Sequence, residues 1–375
     1  MNLQCRPRNL VLVRVASTVL ALTCLASGFA VAASAASETI TVVASTVPAN
    51  GDVNPYGIVV VPDTVGNLVK GNLLISNFNA ASNEQGTGTT IMQISPGGTV
   101  SQFAQIDAAS LPGPCTGGVG LTTALAVLRA GWVIVGSLPT ADGTAATAQA
   151  GCLLVLDSMG NVSETIYGTL INGPWDMAVR DHSGVGGGGT AALFVTNVLN
   201  GTVAAGGSVV KQGTVVRVDL TLSKTAAPFV EAMTVIGSGF AERTDPAALV
   251  IGPTGVGLSP DGLLLYVADS LNNRIVAISQ PITRQTSAHT GNTITKGGSL
   301  NDPLGLTVAS NGDILTVNGD DGYMVRTTPD GLQVAKTLLD SSGSPPGNGA
   351  LFGLVTAGES VYYVDDASNT LNLFQ

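Results

Sequence analysis

The sequence has little charge. Only 11% of its residues are charged, against 45% hydrophobic residues and 48 glycines. The acids are spread along the chain without a run of like charges, as expected for a solvated surface. Low charge with abundant Gly, Val, Thr and Ala is typical of a protein rich in β-structure.

Motifs that carry catalysis are also missing. The two histidines, His182 and His289, each lie in a polar or glycine-rich stretch. The chain contains no HExxH, no CxxC pair, no GxSxG and no phosphate-binding loop. The glycine run 186–189 lacks the Lys-Ser/Thr of a phosphate loop, so we interpret it as a flexible hairpin. The sequence therefore nominates no catalytic residue, and no pattern points to a Ser–His–Asp triad.

The first 36 residues differ in character from the rest. Three arginines by position 14 precede the uncharged apolar stretch 15–32 and a run of small residues. This order predicts a secretory signal peptide cleaved near Ala35 or Ala36, with an uncleaved anchor as the alternative. We expect export to the periplasm or the medium, with no stable membrane insertion after cleavage. The remaining chain has a net charge of about −13, which argues against nucleic acid as a partner.

Two cysteines remain after the leader. Cys5 and Cys24 lie within it, which leaves Cys115 and Cys152. Two cysteines in an exported chain predict one disulfide, with two separate buried thiols as the alternative.

A short opening motif recurs six times: a turn residue, often Pro, then Gly or a small residue, then an aliphatic one. It occurs as NPYGI (54–58), GGVGL (117–121), GPWDM (173–177), GPTGV (252–256), DPLGL (302–306) and ALFGL (350–354). The glycine-equivalent positions are 57, 120, 176, 255, 305 and 353. The last two spacings, 50 and 48 residues, match the period of a propeller blade, and insertions lengthen the earlier ones.

Short apolar runs separated by turns follow each motif, four to a unit. This pattern predicts an all-β protein, a six-bladed β-propeller of four-stranded antiparallel blades forming one domain over 37–375. The chain ends after the third run of the sixth unit, so we expect the N-terminal run 39–46 to join the last blade and close the ring. Deleting 37–47 should then cost stability out of proportion to its length. The predicted blades lie near 54–107, 117–168, 171–237, 250–300, 301–340, and 347–375 with 38–46.

The fourth unit carries a family resemblance. Residues 252–278, GPTGVGLSPDGLLLYVADSLNNRIVAI, resemble an NHL repeat in the Pro-x-Gly opening, the PDG turn, the YVAD strand end and the NNRI entry to the next strand. The other units resemble it more weakly. The resemblance implies a six-bladed propeller that serves as a binding platform. Related six-bladed propellers include lyases, lactonases and strictosidine-synthase-like enzymes.

Three long insertions fall between the second and third strands of the first three blades, at 77–89, 137–151 and 197–214. Propeller topology places them side by side on one face, and loops on a rigid scaffold often bind partners. Solvated spacers without a ligand are the alternative. We therefore expect a monomeric, non-catalytic binding scaffold whose partner, an unknown protein, glycan or small molecule, meets this face. A disulfide between Cys115 and Cys152 would tie down the 137–151 loop.

Polar side chains near the start of the innermost strands are the candidate ligands on the same face. They are Asn54, Asp176, Asp302 and Asn348, with Trp175 as a side chain that could stack on a ligand or belong to the core. Oxygens of Asn54, Asp176 and Asp302 could hold Ca²⁺. Calcium-dependent lactonases of this architecture use a comparable mix, although this chain lacks a matching Glu near its first strand. The alternative function is thus a metal-dependent, lactonase-like hydrolase or a lyase acting at the channel mouth.

A second polar series closes the second strand of each unit: Asn77, Ser137, Asn197, Asp269, Asn318 and Asp365. Side chains of these types accept turn N–H groups. We interpret the series as structural.

Overall fold

The computed structural model describes Met1 and residues 38–375. The predicted signal peptide lies outside the described residues, apart from Met1. Residues 38–375 form one compact unit. In this part of the chain no helix is long and apolar enough to cross a membrane.

The described chain consists almost entirely of β-strands. The strands of the first half are β1 Ile40–Ser45, β2 Val53–Val60, β3 Leu73–Asn79, β4 Thr90–Ile94, β5 Val100–Gln105, β6 Leu121–Val127, β7 Val133–Ser137, β8 Leu153–Leu156, β9 Val162–Ile166, β10 Pro174–Asp181, β11 Gly189–Asn197 and β12 Val210–Leu222. Those of the second half are β13 Phe229–Asp245, β14 Leu249–Ile251, β15 Pro253–Leu258, β16 Leu264–Asp269, β17 Arg274–Ser279, β18 Asn292–Lys296, β19 Pro303–Val308, β20 Ile314–Asn318, β21 Tyr323–Thr327, β22 Gln333–Leu338, β23 Leu351–Ala357, β24 Ser360–Asp365 and β25 Thr370–Phe374. Three 3₁₀ turns complete the list: Ala108–Ser110, Ala145–Thr147 and Ser270–Asn272.

The strands form six antiparallel sheets, which confirms the predicted six-bladed propeller. From the channel outwards the blades are β2–β5, β6–β9, β10–β13, β15–β18, β19–β22, and β23, β24, β25 with β1. The third blade carries one strand more than predicted, because β14 folds back on the end of β13.

The N-terminal strand closes the ring, as predicted. In the register of β1 on β25, Ile40 lies opposite Phe374 and Ser45 opposite Thr370. Beyond the strand, the Thr39 N–H donates to the Gln375 carbonyl at 2.8 Å, and the Gln375 N–H donates back at 3.1 Å. Both ends of the described propeller therefore share one blade, and the last sheet has no missing fourth strand.

The hydrophobic core lies between neighbouring blades. Strand residues alternate between the two faces of a sheet, and each face here meets another blade, so central strands such as LLVL (Leu153–Leu156) are buried throughout. One cluster joins the first two blades through Leu74, Ile91 and Leu154, and another joins the third and fourth through Phe194 and Val276. A single blade could not bury both of its faces, which explains why the blades must form a ring.

A ring of small residues surrounds the central channel. Strand registers place one residue per blade at the same level: Gly57, Ala124, Asp176, Gly255, Gly305 and Gly353. A Cβ atom at Gly255, Gly305 or Gly353 would collide with backbone of the next blade. Glycine recurs in the opening motif because neighbouring innermost strands approach this closely.

The second blade departs from the expected register. Its position in the ring is taken by Ala124, and not by Gly120 as predicted from the motif. The pairing of β6 with β7 shifts between Leu121 and Leu125, so additional residues enter β6 before the regular ladder begins. An irregularity of this kind inserts residues into a strand without changing the sequence motif before it. The glycine of GGVGL therefore does not occupy the ring position that the glycines of the other motifs occupy.

Candidate functional site

The segment that leaves the third blade covers the channel mouth on the face of the long loops. After β13 ends at Asp245, the chain turns, and β14 runs back with Leu249 opposite Asp245 and Ile251 opposite Arg243. The Asp245 carboxylate holds the turn by accepting the N–H groups of Ala247 at 2.9 Å and Ala248 at 3.1 Å. We call residues 243–251 the cap.

The cap rests on large side chains that fill the channel mouth. These are the residues one position before the small ring in four blades: Tyr56, Trp175, Leu304 and Phe352. The Tyr56 ring stacks on Phe352 with centroids 3.8 Å apart, and on Phe78 at 4.5 Å. The Trp175 indole N–H donates to the carbonyl of Val250 in the cap at 3.1 Å. The channel is therefore closed on this face.

A recess of about 450 Å³ lies beside the cap. The three long loops all contribute to its wall, through Gln85, residues 143–145 and Gly207, and the cap supplies residues 243–246 and Leu249. Gln85 binds the cap directly, since its side-chain amide donates to the carbonyls of Pro246 at 3.1 Å and Ala247 at 3.2 Å. The structure thus brings the predicted loops together around one concave surface.

A second recess, of about 160 Å³, holds charged side chains. Arg243, Asp302 and Asp320 line it, with Ile251, Ser270, Leu271 and Asn273. Arg243 borders both recesses and forms an ion pair with Asp245, the guanidinium Nη2 lying 3.2 Å from Oδ2. One cation therefore stands among three carboxyl groups.

The surroundings of Asp302 perturb its ionisation. Burial raises the pKa of Asp302 to about 7, the negative charges of Asp320 and Asp245 add to the rise, and Arg243 opposes it. Burial and the charges of Asp245 and Asp321 also raise the pKa of Asp320 above its ordinary value. A carboxyl group that titrates near neutral pH can take up and release protons under physiological conditions.

The structure explains why Asn54 and Asp302 recur at equivalent motif positions. Both residues have left-handed backbone conformations, with φ of 60° and 52°, which Asn and Asp adopt more readily than most residues. Their N–H groups donate to asparagine side chains of the preceding blades, Asn369 at 2.8 Å and Asn273 at 2.6 Å. Only Asp302 of the two lines a recess.

The other predicted ligand residues lie in different places. Asp176 lies at the third-to-fourth blade seam, where its carboxylate accepts the N–H groups of Met177 at 2.7 Å and Val256 at 3.0 Å. Trp175 is buried beneath the cap. Asn348 approaches the charged recess, its amide donating to Asp320 Oδ1 at 3.1 Å.

The predicted calcium ligands do not converge. Asp176 lines the central channel, Asp302 lines the small recess, and Asn54 lines neither. Among residues 38–375 no group of three or more His, Cys, Asp or Glu side chains is placed to hold a metal ion. The donor set therefore does not fit the predicted Ca²⁺ site.

Cys115 and Cys152 are joined as a disulfide, with Cα atoms 5.1 Å apart. The bond links the connector before β6 to the residue preceding β8, so it fixes one end of the 137–151 loop that lines the larger recess.

The polar residues that close the second strands hold the adjacent turns. Asn197 Oδ1 accepts the Asn172 N–H at 2.8 Å, and Asn318 Oδ1 accepts the Asn301 N–H at 3.1 Å. Asp365 accepts the N–H of Ser368 at 3.0 Å. These contacts support the structural interpretation of the series.

Sequence reasoning missed the cap and the charged residues around it. Arg243 and Asp245 lie at the end of β13 and Asp320 follows β20, in sequence that carries no functional motif. The sequence did contain a signal for closure of the channel mouth. Four of the six opening motifs carry a bulky residue directly before the ring position: NPYG, GPWD, DPLG and ALFG.

Comparison with known proteins identifies relatives by fold. Residues 205–342 match the family described as SMP-30/Gluconolactonase/LRE-like region. A search of curated proteins finds no sequence match. Solved structures with a similar fold include a gluconolactonase from Xanthomonas campestris, with a TM-score of 0.54 and 13% identity over 90% of this chain and 89% of that one. A calcium-binding protein, regucalcin, from Agrobacterium tumefaciens has a TM-score of 0.52 and 12% identity over 86% and 90% of the two chains. A streptogramin B lyase has a TM-score of 0.51 and 14% identity over 90% and 97%.

The family match covers less than half of the chain, and the structural similarities establish the propeller fold alone. The NHL assignment is not confirmed, whereas the broader expectation of a six-bladed propeller is.

Proposed function

We propose that this propeller is a hydrolase of cyclic esters, related to the SMP-30/gluconolactonase group, which acts at the charged recess beside the cap. The observation that carries the proposal is the position of Arg243, Asp302 and Asp320. All three line one recess, and all three fall inside the segment 205–342 that matches the family.

The recess offers the two kinds of group that lactone hydrolysis needs. Asp302, with a pKa of about 7, can remove a proton from water as that water attacks the ester carbonyl. The Arg243 guanidinium can stabilise the oxyanion that forms on the carbonyl oxygen. When the ring C–O bond breaks, the protonated Asp302 can return the proton to the departing alkoxide. Because the predicted Ca²⁺ ligands do not converge, we derive no step through a metal.

Proton release from D-glucono-1,5-lactone and from simple γ- and δ-lactones tests the proposal with residues 37–375. We expect Asp302→Asn to lower kcat/KM by about 100-fold or more, because it removes the base. Asparagine also adopts positive φ, so the substitution preserves the backbone at this position. EDTA should leave the rate unchanged.

Asp330→Asn is the matched control, since Asp330 is an exposed acid in the β21–β22 turn and does not line the recess. Activity that survives Asp302→Asn, or that depends on Ca²⁺ after EDTA treatment, would contradict the assignment. Saturable lactone binding without turnover would instead support the non-catalytic scaffold.

A further inference from the structure

A separate cavity lies inside the central channel, below the side chains that close the mouth. Its volume is about 310 Å³, and all six innermost strands line it. Towards the opposite face the lining residues become partly exposed, including Val59, Val179, Leu258, Val308 and Val355. The cavity is therefore reached from the face opposite the cap and both recesses.

The inner end of the cavity lies at the small ring, of which Asp176, Gly305 and Gly353 line the wall. Asp176 is the one ionisable residue of the ring, and it is 8% exposed. The remaining wall is apolar apart from backbone and two threonines, Thr123 and Thr307.

The carboxyl group of Asp176 lies at the inner end of this apolar wall. An apolar tube with an acid at its closed end matches a ligand with an apolar tail and a hydrogen-donating head.

We propose that the channel binds a primary alkylammonium ion, with its ammonium group beside Asp176 and its alkyl tail along the aliphatic wall.

The acid in the cavity wall indicates that the polar head group of the ligand is positively charged. Among residues 38–375, Asp176 is the only ionisable side chain in the cavity wall. Each of its oxygens accepts one backbone N–H, which leaves further lone pairs for a donor. Burial raises the pKa of this carboxyl to about 7, and a cation beside it would favour the ionised form. The acidic net charge also attracts cations to the open face.

Isothermal titration of residues 37–375 with n-octylamine tests the proposal. We expect saturable binding of one molecule, and no binding of octane-1-sulfonate, which has the same tail and an anionic head. Val308→Phe should weaken octylamine binding at least tenfold by narrowing the open end.

Asp176→Asn should also weaken octylamine binding at least tenfold, while Glu231→Gln, an exposed acid on the outer strand of the same blade, should not. If Asp176→Asn fails to fold, Val308→Phe still decides. Absence of saturable binding, or equal affinity in Val308→Phe and the parent, would overturn the proposal. Lactone hydrolysis by Val308→Phe should equal that of the parent, so failure here is distinguishable from failure of the proposed function.

Discussion

Glu242 lies on β13 just before the cap, with a side chain that is wholly buried. Neither carboxyl oxygen has a hydrogen-bond partner within residues 38–375. Burial raises the pKa of this group to about 8, and the nearby Asn200 backbone only partly opposes the rise. The folded protein therefore holds a proton here at pH values where an unfolded chain has released it.

This proton makes stability depend on pH. Since the folded pKa is raised, the stabilising contribution is complete below about pH 4, the unfolded value, and is lost as the pH rises through about 8. A glutamine at position 242 has no proton to release, so Glu242→Gln should not lose this stability as the pH rises. We expect Glu242→Gln to match the parent in Tm near pH 5 and to exceed it by a few degrees at pH 9, measured by differential scanning calorimetry.

The exposed Glu231 on the same strand provides the control, because Glu231→Gln removes an equal charge without changing a buried group. Parallel Tm profiles for Glu242→Gln and the parent would contradict the buried-proton account.

At the residue scale the sequence predicted conformation better than chemistry. Asn54 and Asp302 were nominated for their oxygens, yet their recurrence reflects the left-handed backbone at those positions. Asp176 was nominated as a metal ligand, but its carboxylate bridges two blades. The carboxyl groups with raised pKa values, such as those of Glu242 and Asp302, are buried by segments that are distant in the sequence. The sequence around each residue does not indicate that burial.

At the scale of elements, β1 contributes mainly through its backbone, because Ile40 and Val42 are exposed while Val43 and Ala44 are partly buried against the core. The reciprocal bonds between Thr39 and Gln375 define a hydrogen-bonded pair, so in the antiparallel ladder the N–H of Thr41 also faces β25 and that of Ile40 faces away. Proline at position 41 removes a ladder bond, whereas proline at position 40 does not.

We therefore expect Thr41→Pro to lower the free energy of unfolding by at least about 1 kcal/mol more than Ile40→Pro. Urea denaturation followed by tryptophan fluorescence measures the difference. Equal losses for the two proline variants would mean that β1 is held by side-chain contacts and not by its ladder.

The role of β1 was predictable and that of the cap was not. Counting strands exposed a missing fourth strand in the last blade, and topology left one place from which it could come. The cap has no such constraint, because residues 243–251 form a short excursion within a connector whose length alone does not indicate where it folds. Its apolar run, ALVI, becomes informative only when Tyr56, Trp175 and Phe352 are known to meet at one mouth.

At the scale of the whole molecule, closure joins the first and last strands in one sheet, so the ends of the ring are held by hydrogen bonds within a blade. Two circular permutants test whether strand pairing within a blade, and not the order of the chain, holds the ring closed. Both join Gln375 to Glu38 by the same short linker, which the pairing of Thr39 with Gln375 makes sterically feasible. One opens at Gly358–Glu359, in the β23–β24 hairpin, and the other opens at Ser342–Gly343, between the fifth and sixth blades.

The first permutant still closes inside a blade, because its new terminal strands β23 and β24 pair with each other. The second closes between blades, so side-chain packing and a few loop hydrogen bonds, such as that from the Gly349 N–H to the Gly319 carbonyl, hold its ends together. The effective concentration that a shared sheet provides is lost. We expect the first permutant to unfold within a few degrees of the parent and the second to unfold at a clearly lower Tm in calorimetry. If both melt alike, packing between blades suffices to close the ring, and the shared sheet contributes little beyond the hydrogen bonds that Thr41→Pro removes.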